Sequence, residues 1–314
     1  MPPQPLVTAR RLRKVYGKPG AREFTAVDGI DFEVRRGEAF GLLGANGAGK
    51  SSTMRMIACV SPVSGGDLTI LGRDAATDGP AIRARLGVVP QDDTVDTELT
   101  VRENLLIYGR YFGLSKVEVR RRAAELLEFA RLTEKADESV GALSGGMRRR
   151  LTIARALVNS PDIVLLDEPT TGLDPQARHL LWERLFQLKR EGVTLLLTTH
   201  YMDEAEQLCD RLVVMDSGRI VAEGAPAELI SRYTTREVVE LRLTDGDRAT
   251  YGDELRSLVA RFEDLADRLL LYTDDGEDVL SRAHATGARP ITALVRRSTL
   301  EDVFLTLTGR SLVD

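Results

Sequence analysis

The sequence predicts an α/β fold, with a larger domain at residues 1–230 and a smaller one at residues 231–314. Three observations predict it. A short apolar strand near residues 39–43 runs into a glycine-rich loop and then a helix. Further apolar strands alternate with amphipathic helices, which is typical of a sheet covered by helices. Beyond about residue 231 the pattern changes, and a chain of 314 residues is long enough for two domains.

The glycine-rich loop predicts a nucleoside-triphosphate site. Residues 44–51 read Gly-Ala-Asn-Gly-Ala-Gly-Lys-Ser, which is G-x-x-x-x-G-K-S between a strand and a helix. Glycines let backbone N–H groups point at phosphates, and the helix N-terminus favours negative charge. Lys50 supplies a charge for the β- and γ-phosphates, and the Ser51 hydroxyl can join the coordination shell of Mg²⁺. The alternative is a glycine-rich turn before an ordinary helix.

Composition narrows the function classes. The net charge is −5, from 48 acidic and 43 basic residues, which argues against a nucleic-acid surface. Cys59 and Cys209 lack metal-type spacing, which favours a reducing compartment. Residues 1–14 lack the apolar run of a secretory signal, and no apolar run approaches the ~18–20 residues of a membrane helix. We therefore expect a chain that does not cross a membrane by itself.

Residues 92–155 are predicted to be a helical insertion between strands. Thr100 with Glu103, and Ser115 with Glu118, have the spacing of capping boxes at two helix starts. The three arginines at 148–150 are interpreted as solvated charges or as local charge on the phosphate side of the site, because consecutive residues spread around a helix and do not form a patch.

Two further helix starts and two strand ends hold polar residues. Ser144 is a predicted N-cap before Gly145 and Gly146, and accessible N–H groups at such a start can receive an anion. Asp167 and Glu168 end an apolar strand, where adjacent carboxylates are costly unless they meet a metal or hydrogen-bond donors. The remaining two are Asp174, a predicted N-cap before Pro175, and His200, which follows the strand at 193–199.

The C-terminal part is predicted to be a small α/β domain without a recognisable site. Strands are expected at 238–243, 268–272 and 291–295. Helices are expected at 253–262, 277–285 and 300–307, the last opened by Ser298 or Thr299.

Taken together, these motifs resemble the ATP-binding cassette ATPases, the motor subunits of ABC transporters, over residues 5 to about 230. Residues 44–51 resemble the Walker A loop, 143–147 the signature and 163–168 the Walker B strand. The single-residue matches are Tyr16 to the adenine-stacking aromatic, Gln91 to the Q-loop, Asp174 to the D-loop and His200 to the switch histidine. The resemblance implies a P-loop NTPase cassette with a RecA-like core, an antiparallel β subdomain and a helical subdomain at about 92–155.

The family implies an ATPase in which two cassettes face each other head to tail. Each ATP would lie between Walker A of one chain and Ser144, Gly145 and Gly146 of the other. The residues expected to bind ATP are Tyr16, Gly44, Asn46, Gly47, Ala48, Gly49, Lys50, Ser51 and Ser52. Mg²⁺ is expected at Ser51 and Gln91, and at Asp167 through water. Glu168 would be the general base or water-orienter, Gln91 would reach the attacking water, and His200 would keep the γ-phosphate and the base in register.

A closer resemblance is to exporter ATPases typified by the nodulation-factor (lipo-chitooligosaccharide) exporter and by drug-resistance cassettes. Residues 143–150, 177–184 and 300–309 support it. It implies export of a lipid-linked saccharide, lipid or drug through a separate integral membrane permease, with a second cassette that is a copy of this chain, at the cytoplasmic face of the membrane. Two residues depart from the family pattern: Met147 replaces a glutamine and Ala45 a proline.

Two other functions fit the sequence less well than transport. A soluble ABC ATPase acting on the ribosome or DNA would carry two cassettes or a long coiled-coil insertion, and this chain has neither. A binding module without turnover is opposed by the presence of Glu168 and His200. Export versus import, the cargo and the identity of the second cassette stay open at this point.

Overall fold

The computed structural model describes residues 4–17 and 23–309. Residues 1–3, the start of the segment 1–14 that lacks the pattern of a secretory signal, therefore lie outside the described residues. The chain forms two compact units that divide between Ala225 and Pro226. In the described part of the chain, no helix is both long and apolar enough to span a membrane.

A six-stranded sheet with the order β10-β9-β3-β8-β7-β6 forms the centre of the first unit. Its strands are β3 (Ala39–Leu43), β6 (Leu86–Val89), β7 (Ile163–Asp167), β8 (Thr194–Thr199), β9 (Arg211–Asp216) and β10 (Arg219–Gly224). All neighbours pair in parallel except β10, which is antiparallel to β9. Strands β3 and β8 are buried along their whole length, as expected for a parallel sheet covered on both faces.

A second, antiparallel sheet forms the β subdomain, with the order β2-β1-β4-β5. Its strands are β1 (Val7–Tyr16), β2 (Phe24–Val34), β4 (Gly65–Ile70) and β5 (Arg73–Asp74). One cluster of buried apolar residues joins this sheet to α1 (Lys50–Ile57) and to the central sheet. Within it the rings of Phe32 and Phe40 stack with their centroids 5.8 Å apart. This core fixes the loop between β3 and α1 against both sheets.

Six more α-helices are described in the first unit, and four of them, α3 to α6, begin at caps that the sequence predicts. They are α2 (Gly79–Arg83), α3 (Val101–Tyr111), α4 (Lys116–Phe129), α5 (Gly145–Ala156), α6 (Pro175–Arg190) and α7 (Met202–Leu208). Both predicted capping boxes, at Thr100 and Ser115, are present. Ser144 caps α5 and Asp174 caps α6, each through its side-chain oxygen.

The second unit contains a four-stranded antiparallel sheet with the order β12-β13-β11-β14. Its elements are α8 (Pro226–Tyr233), β11 (Glu237–Arg242), α9 (Asp245–Ser257), β12 (Arg261–Asp264), β13 (Leu269–Thr273), α10 (Gly276–Ala285), β14 (Thr292–Arg297) and α11 (Leu300–Thr308). Side chains of β11 and β13 pack on α9 and α10, with Val239, Leu255 and Val279 in one buried cluster.

The helix predicted at 253–262 is wrong at both ends. It begins at Asp245, because the Thr244 side chain accepts a hydrogen bond from the Asp247 N–H and caps it. It ends at Ser257, and Phe262 lies in strand β12. The Thr-x-x-Asp spacing at 244–247 is the sequence signal that would have identified the true start.

Asp302, at the start of α11, is a carboxylate that is fully buried. Its carboxylate accepts hydrogen bonds from Arg296 at 2.8 and 3.0 Å, from the Tyr272 hydroxyl at 3.0 Å and from the Thr299 N–H at 2.8 Å. Burial alone would raise the pKa of Asp302, but the bonds from Arg296 and Thr299 outweigh it and keep the pKa below its ordinary value. The second unit therefore depends on a charge that is buried and fully paired.

We predict that Asp302→Ala lowers the free energy of unfolding of the second unit by about 3–5 kcal/mol at pH 7, because it leaves Arg296 without its main partner. A group whose folded pKa is depressed stabilises above its unfolded pKa, near ~4, and this contribution is lost as the pH falls through the folded pKa. The cost of the substitution should therefore shrink below about pH 4. Urea unfolding of the full chain, with amide protection of β11 and β13 as the probe, measures it.

Asp278→Ala is the matched control, since Asp278 pairs with Arg282 on the exposed surface of α10. It should change the unfolding free energy little, because exposed pairs contribute little. Equal effects of the two substitutions would contradict the role given to Asp302.

Candidate functional site

The candidate site lies where four neighbouring parallel strands end. Strand β3 leads into the loop at 44–49, β6 is followed by Gln91, β7 by Glu168 and β8 by His200. Ligands of open α/β sheets bind outside the carboxyl ends of the strands. A cleft of about 180 Å³ opens there, lined by Phe24, Ala26, Asn46, Gly47, Gly49, Lys50, Ser51, Ser52, Gln91 and Glu168.

The loop at 44–49 requires glycine for steric reasons. Gly47 and Gly49 have φ values of 81° and 103°, which disfavour side chains. A Cβ on Gly49 would also lie 2.5 Å from the carbonyl oxygen of Ala26. The loop therefore keeps its backbone N–H groups close to whatever occupies the cleft. Ala45, which departs from the family pattern, takes part through its carbonyl oxygen, which accepts a hydrogen bond from Lys50.

Lys50 is a buried cation at the start of α1. Its ammonium donates to the carbonyl oxygens of Gly44 at 2.7 Å and Ala45 at 3.1 Å. Burial lowers the pKa of Lys50, and the carboxylates of Glu168 and Asp167 oppose this shift. A cation that is desolvated and pointed into a glycine loop suits a polyanionic ligand.

Asp167 and Ser51 offer two oxygen atoms to a metal. The Ser51 hydroxyl donates to Asp167 Oδ1 at 3.2 Å, and Thr198 donates to the same oxygen. Among the described residues, no cluster of three or more His, Cys, Asp or Glu side chains is arranged to hold a metal. The pair fits Mg²⁺, which takes oxygen ligands and draws most of them from phosphate and water.

Glu168 is buried and has an unusual backbone. Its φ of 45° lies in the left-handed region, which is strained for a residue with a side chain. Its N–H donates to the Thr198 hydroxyl at 3.0 Å, and this bond helps to hold the strained conformation. Strained residues concentrate at functional sites, so the geometry directs attention to this carboxylate.

Three side chains that the sequence predicted for the site surround the Glu168 carboxylate. Gln91 Nε2 donates to Glu168 Oε2 at 3.3 Å. Lys50 Nζ lies 3.7 Å and His200 Nδ1 lies 3.2 Å from Glu168 Oε1. The structure therefore brings Lys50, Gln91, Glu168 and His200 into one cluster.

Arg149 is the residue that sequence reasoning missed. It is only 4% exposed, so the interpretation of residues 148–150 as solvated is wrong for it. Its guanidinium donates to the carbonyl oxygens of Pro90 at 2.5 Å, Gln91 at 3.2 Å, Asp167 at 3.2 Å, Glu168 at 3.2 Å and Pro169 at 2.7 Å. Burial lowers its pKa, and Asp93 and Glu204 oppose the shift. The available signal was its helical face, which it shares with Ile153 and Ala156.

Tyr16 lies at the rim of the cleft. Its hydroxyl donates to Ser52 Oγ at 3.3 Å, and its side chain is 37% exposed. The Lys14 ammonium lies 4.8 Å from the centre of its ring. Tyr16 is not among the residues that line the cleft itself.

The signature residues lie in a second cleft. Ser144, Gly145, Gly146 and Asp174 line it, together with Met147 at the position that departs from the family pattern. Within the described chain, the two clefts share no lining residue. In one chain, the N-terminus of α5 and the glycine loop therefore line different clefts.

Two family comparisons match separate parts of the chain. Residues 27–171 match the family described as "ABC transporter". Residues 248–309 match the family described as "Nodulation factor export protein NodI, C-terminal domain".

Curated relatives match the whole length. The chain is 49% identical over 312 residues to the Nod factor export ATP-binding protein I of Paraburkholderia xenovorans, covering 99% of this chain and 100% of that protein. It is 49% identical over 321 residues to the protein of the same name from Ralstonia nicotianae, covering 99% of this chain and 96% of that protein.

Solved structures show the same fold. An ATP-binding subunit of an ABC transporter matches with a TM-score of 0.64 and 33% identity, covering 73% of this chain and 93% of that one. A dimeric ATP-binding cassette in a post-hydrolysis state, bound to ADP and Pi, matches with a TM-score of 0.64 and 28% identity. It covers 70% of this chain and 98% of its own.

Proposed function

This chain belongs to the ABC transporter family of ATPases, and we propose that it hydrolyses ATP to drive export of a lipid-linked saccharide through a separate membrane protein. The observation that supports hydrolysis best is the buried, strained Glu168 carboxylate beside Lys50, Gln91 and His200. The name of the relatives, Nod factor export ATP-binding protein I, supports this cargo class over a drug or a simple lipid.

ATP binding is assigned to the glycine loop and α1. We propose that backbone N–H groups from Gly44 to Ser52, including those of Asn46 and Ala48, surround the β- and γ-phosphates. Lys50 would exchange its two carbonyl partners for phosphate oxygens. Tyr16, at the rim and bonded to Ser52, would stack on the adenine.

Catalysis is assigned to the cluster around Glu168. Its carboxylate would accept a proton from the attacking water or orient that water, and Gln91 would hold the same water from the other side. His200 would contact the γ-phosphate while it stays within 3.2 Å of Glu168. Ser51 and Gln91, and Asp167 through water, would hold Mg²⁺, which when bound would supply positive charge to neutralise the phosphates.

We predict that Glu168→Gln keeps ATP binding and lowers hydrolysis by ~10²–10⁴-fold, because the amide cannot accept the proton. The variant should also form a stable dimer in ATP, since it cannot hydrolyse the nucleotide that closes it. Phosphate release and a sizing column measure the two effects. Glu183→Gln, at an exposed position on α6, is the control and should behave like the parent. Normal turnover by Glu168→Gln would refute the assignment.

A second copy of the chain is proposed to complete each ATP site. The cleft of about 180 Å³ is smaller than the ~300–1,000 Å³ of a typical ligand pocket, so the glycine loop supplies only one wall. The N-terminus of α5, with Gly145 and Gly146, presents backbone donors in a different cleft. Placed across the γ-phosphate from another chain, those donors would stabilise it from the far side. Asp174 lines that second cleft too and would lie at the same contact.

We predict that Ser144→Arg abolishes hydrolysis but spares ATP affinity, because Ser144 acts on the other chain's nucleotide. Lys50→Ala should abolish both. Mixing the two inactive variants should restore part of the activity, since one heterodimer site then combines an intact glycine loop with an intact α5 start, although the Ser144→Arg chain that supplies this loop has no engaged α5 of its own. Hydrolysis and ATP affinity are measured for each chain and for the mixture. Mixtures that form heterodimers yet stay inactive would show that the head-to-tail arrangement is wrong.

An apolar groove of about 620 Å³ is proposed to receive the membrane partner. Tyr108, Tyr111 and Phe112 of the helical subdomain line one side, and Val60 and Val88 of the core are on the other. Tyr111 is 80% and Val60 67% exposed, which is unusual for large apolar side chains and typical of an interaction site. Within the first part of the helical subdomain, Val101 and Leu105 are fully buried and belong to internal packing, whereas Tyr108, Tyr111 and Phe112 line the groove.

We predict that Tyr111→Cys and Val60→Cys, in a chain without Cys59, cross-link to an integral membrane protein at the cytoplasmic face of the membrane. Val117→Cys is the control, because Val117 is equally exposed on α4 but does not line the groove. Mass spectrometry of cross-linked membranes identifies the partner. Cross-links only to ribosomal proteins or nucleic acid would instead support a soluble ABC ATPase.

A further inference from the structure

Arg149 joins helix α5 to two loops of the site, residues 90–94 after β6 and residues 167–169 at the end of β7. These are called the catalytic loops. We propose that it is a positioning residue, which couples the N-terminus of α5 to Gln91 and Glu168 of the same chain. Its five bonds reach the backbone on both sides of the site, from Pro90 and Gln91 to Asp167, Glu168 and Pro169. A planar guanidinium presents five N–H donors in a fixed fork, so one rigid group sets the distance between the loops.

The remaining contacts of α5 strengthen the connection to the loop at 90–94. Thr152 donates to Asp93 at 3.4 Å, and Arg148 lies 3.7 Å from the same carboxylate. Arg155 donates to the carbonyl oxygen of Thr94 at 2.5 Å. Because these bonds and those of Arg149 all leave from one helix, α5 and the Gln91 loop are expected to move together.

The connection to Glu168 has a further consequence. Glu168 is held in a strained conformation at φ 45°, and its own carbonyl oxygen accepts from Arg149 at 3.2 Å. A small rotation of α5 would therefore change the position of the carboxylate that faces Lys50 and His200. No such link is expected from Arg150 on the same helix, which donates to the carbonyl oxygen of Ala130.

The functional meaning of this link rests on the proposed two-chain site. In that arrangement, α5 begins at the ATP bound by the other chain, while Arg149 holds the catalytic loops of its own chain. Engagement of α5 at one ATP would then position Glu168 and Gln91 at the other. Arg149 makes the two sites cooperative, although it touches neither nucleotide.

Arg149→Gln and Arg149→Lys test the proposal in the full chain. The glutamine loses the fork, and the lysine keeps the charge but has a compact ammonium in place of five donors. Arg149→Gln should lower kcat about 10²-fold, as expected for misplaced catalytic groups, with KM changed by less than about threefold. The Hill coefficient for ATP should fall to about 1, and the lysine variant should lie between it and the parent.

Arg122→Gln is the matched control, since Arg122 also donates to a backbone carbonyl, that of Leu157, but contacts neither catalytic loop. It should keep kcat and the Hill coefficient. A kcat loss no larger than that of Arg122→Gln, or a Hill coefficient unchanged in the folded Arg149 variants, would overturn the proposal. A chain that carries both Glu168→Gln and Arg149→Gln distinguishes the two-chain site from the role of Arg149. If this double variant still dimerises with ATP, the two-chain site is supported independently of Arg149.

A second measurement leaves Arg149 unchanged, so it tests the coupling of α5 to the catalytic loops even if the Arg149 variants do not fold. In an ATP-bound dimer of Glu168→Gln chains, one chain also carries Ser144→Arg, so its own α5 cannot engage ATP while its glycine loop remains closed by the partner. Amide hydrogen exchange at 90–94 and 167–169 of that chain should be faster than in a chain without Ser144→Arg. Equal exchange in the two would contradict the coupling.

Discussion

The parallel pairing of β3, β8, β7 and β6 is the constraint on which the site depends. Parallel neighbours end at the same edge of a sheet, so residues that are far apart in the chain meet there because their strands are paired. Lys50, Gln91 and His200 follow three strands other than that of Glu168 and still lie within 3.7 Å of its carboxylate. The hydrophobic core under α1 and both sheets keeps that edge rigid.

The second feature of the site is a pair of buried cations, Lys50 and Arg149, whose hydrogen bonds go to backbone carbonyl oxygens. Lys50 and Arg149 are both desolvated, and both donate mainly to carbonyl oxygens of the loops that they hold. Carbonyl partners leave Lys50 able to exchange them for phosphate oxygens, because neither partner is a fixed counter-charge. They leave Arg149 rigid, because its five acceptors belong to two loops at once. Similar chemistry would therefore produce the proposed ligand-binding group in one case and the proposed structural link in the other.

Sequence reasoning predicted the features that depend on local chemistry. The glycine loop, the caps at Ser144 and Asp174, and the acid pair after β7 each follow from a few adjacent residues. It failed where tertiary packing decides. Arg149 differs from its two neighbours in the helical face that it shares with Ile153 and Ala156, but only the tertiary packing shows that this face is buried. The sequence pattern predicts a helix through Phe262, whereas the helix that Thr244 caps ends at Ser257 and Phe262 lies in strand β12. The separation of Ser144 from the glycine loop is likewise a property of the fold, although the resemblance to a family anticipated it.

The central claim is that two chains enclose each ATP, with the glycine loop of one and the α5 start of the other on opposite sides of the γ-phosphate. A structure of the Glu168→Gln chain with ATP and Mg²⁺ tests it most directly. The account predicts the γ-phosphate beside Lys50 of one chain and within hydrogen-bond distance of the Gly145 and Gly146 N–H groups of the second. A γ-phosphate held by one chain, with the start of every α5 exposed to solvent, would contradict it.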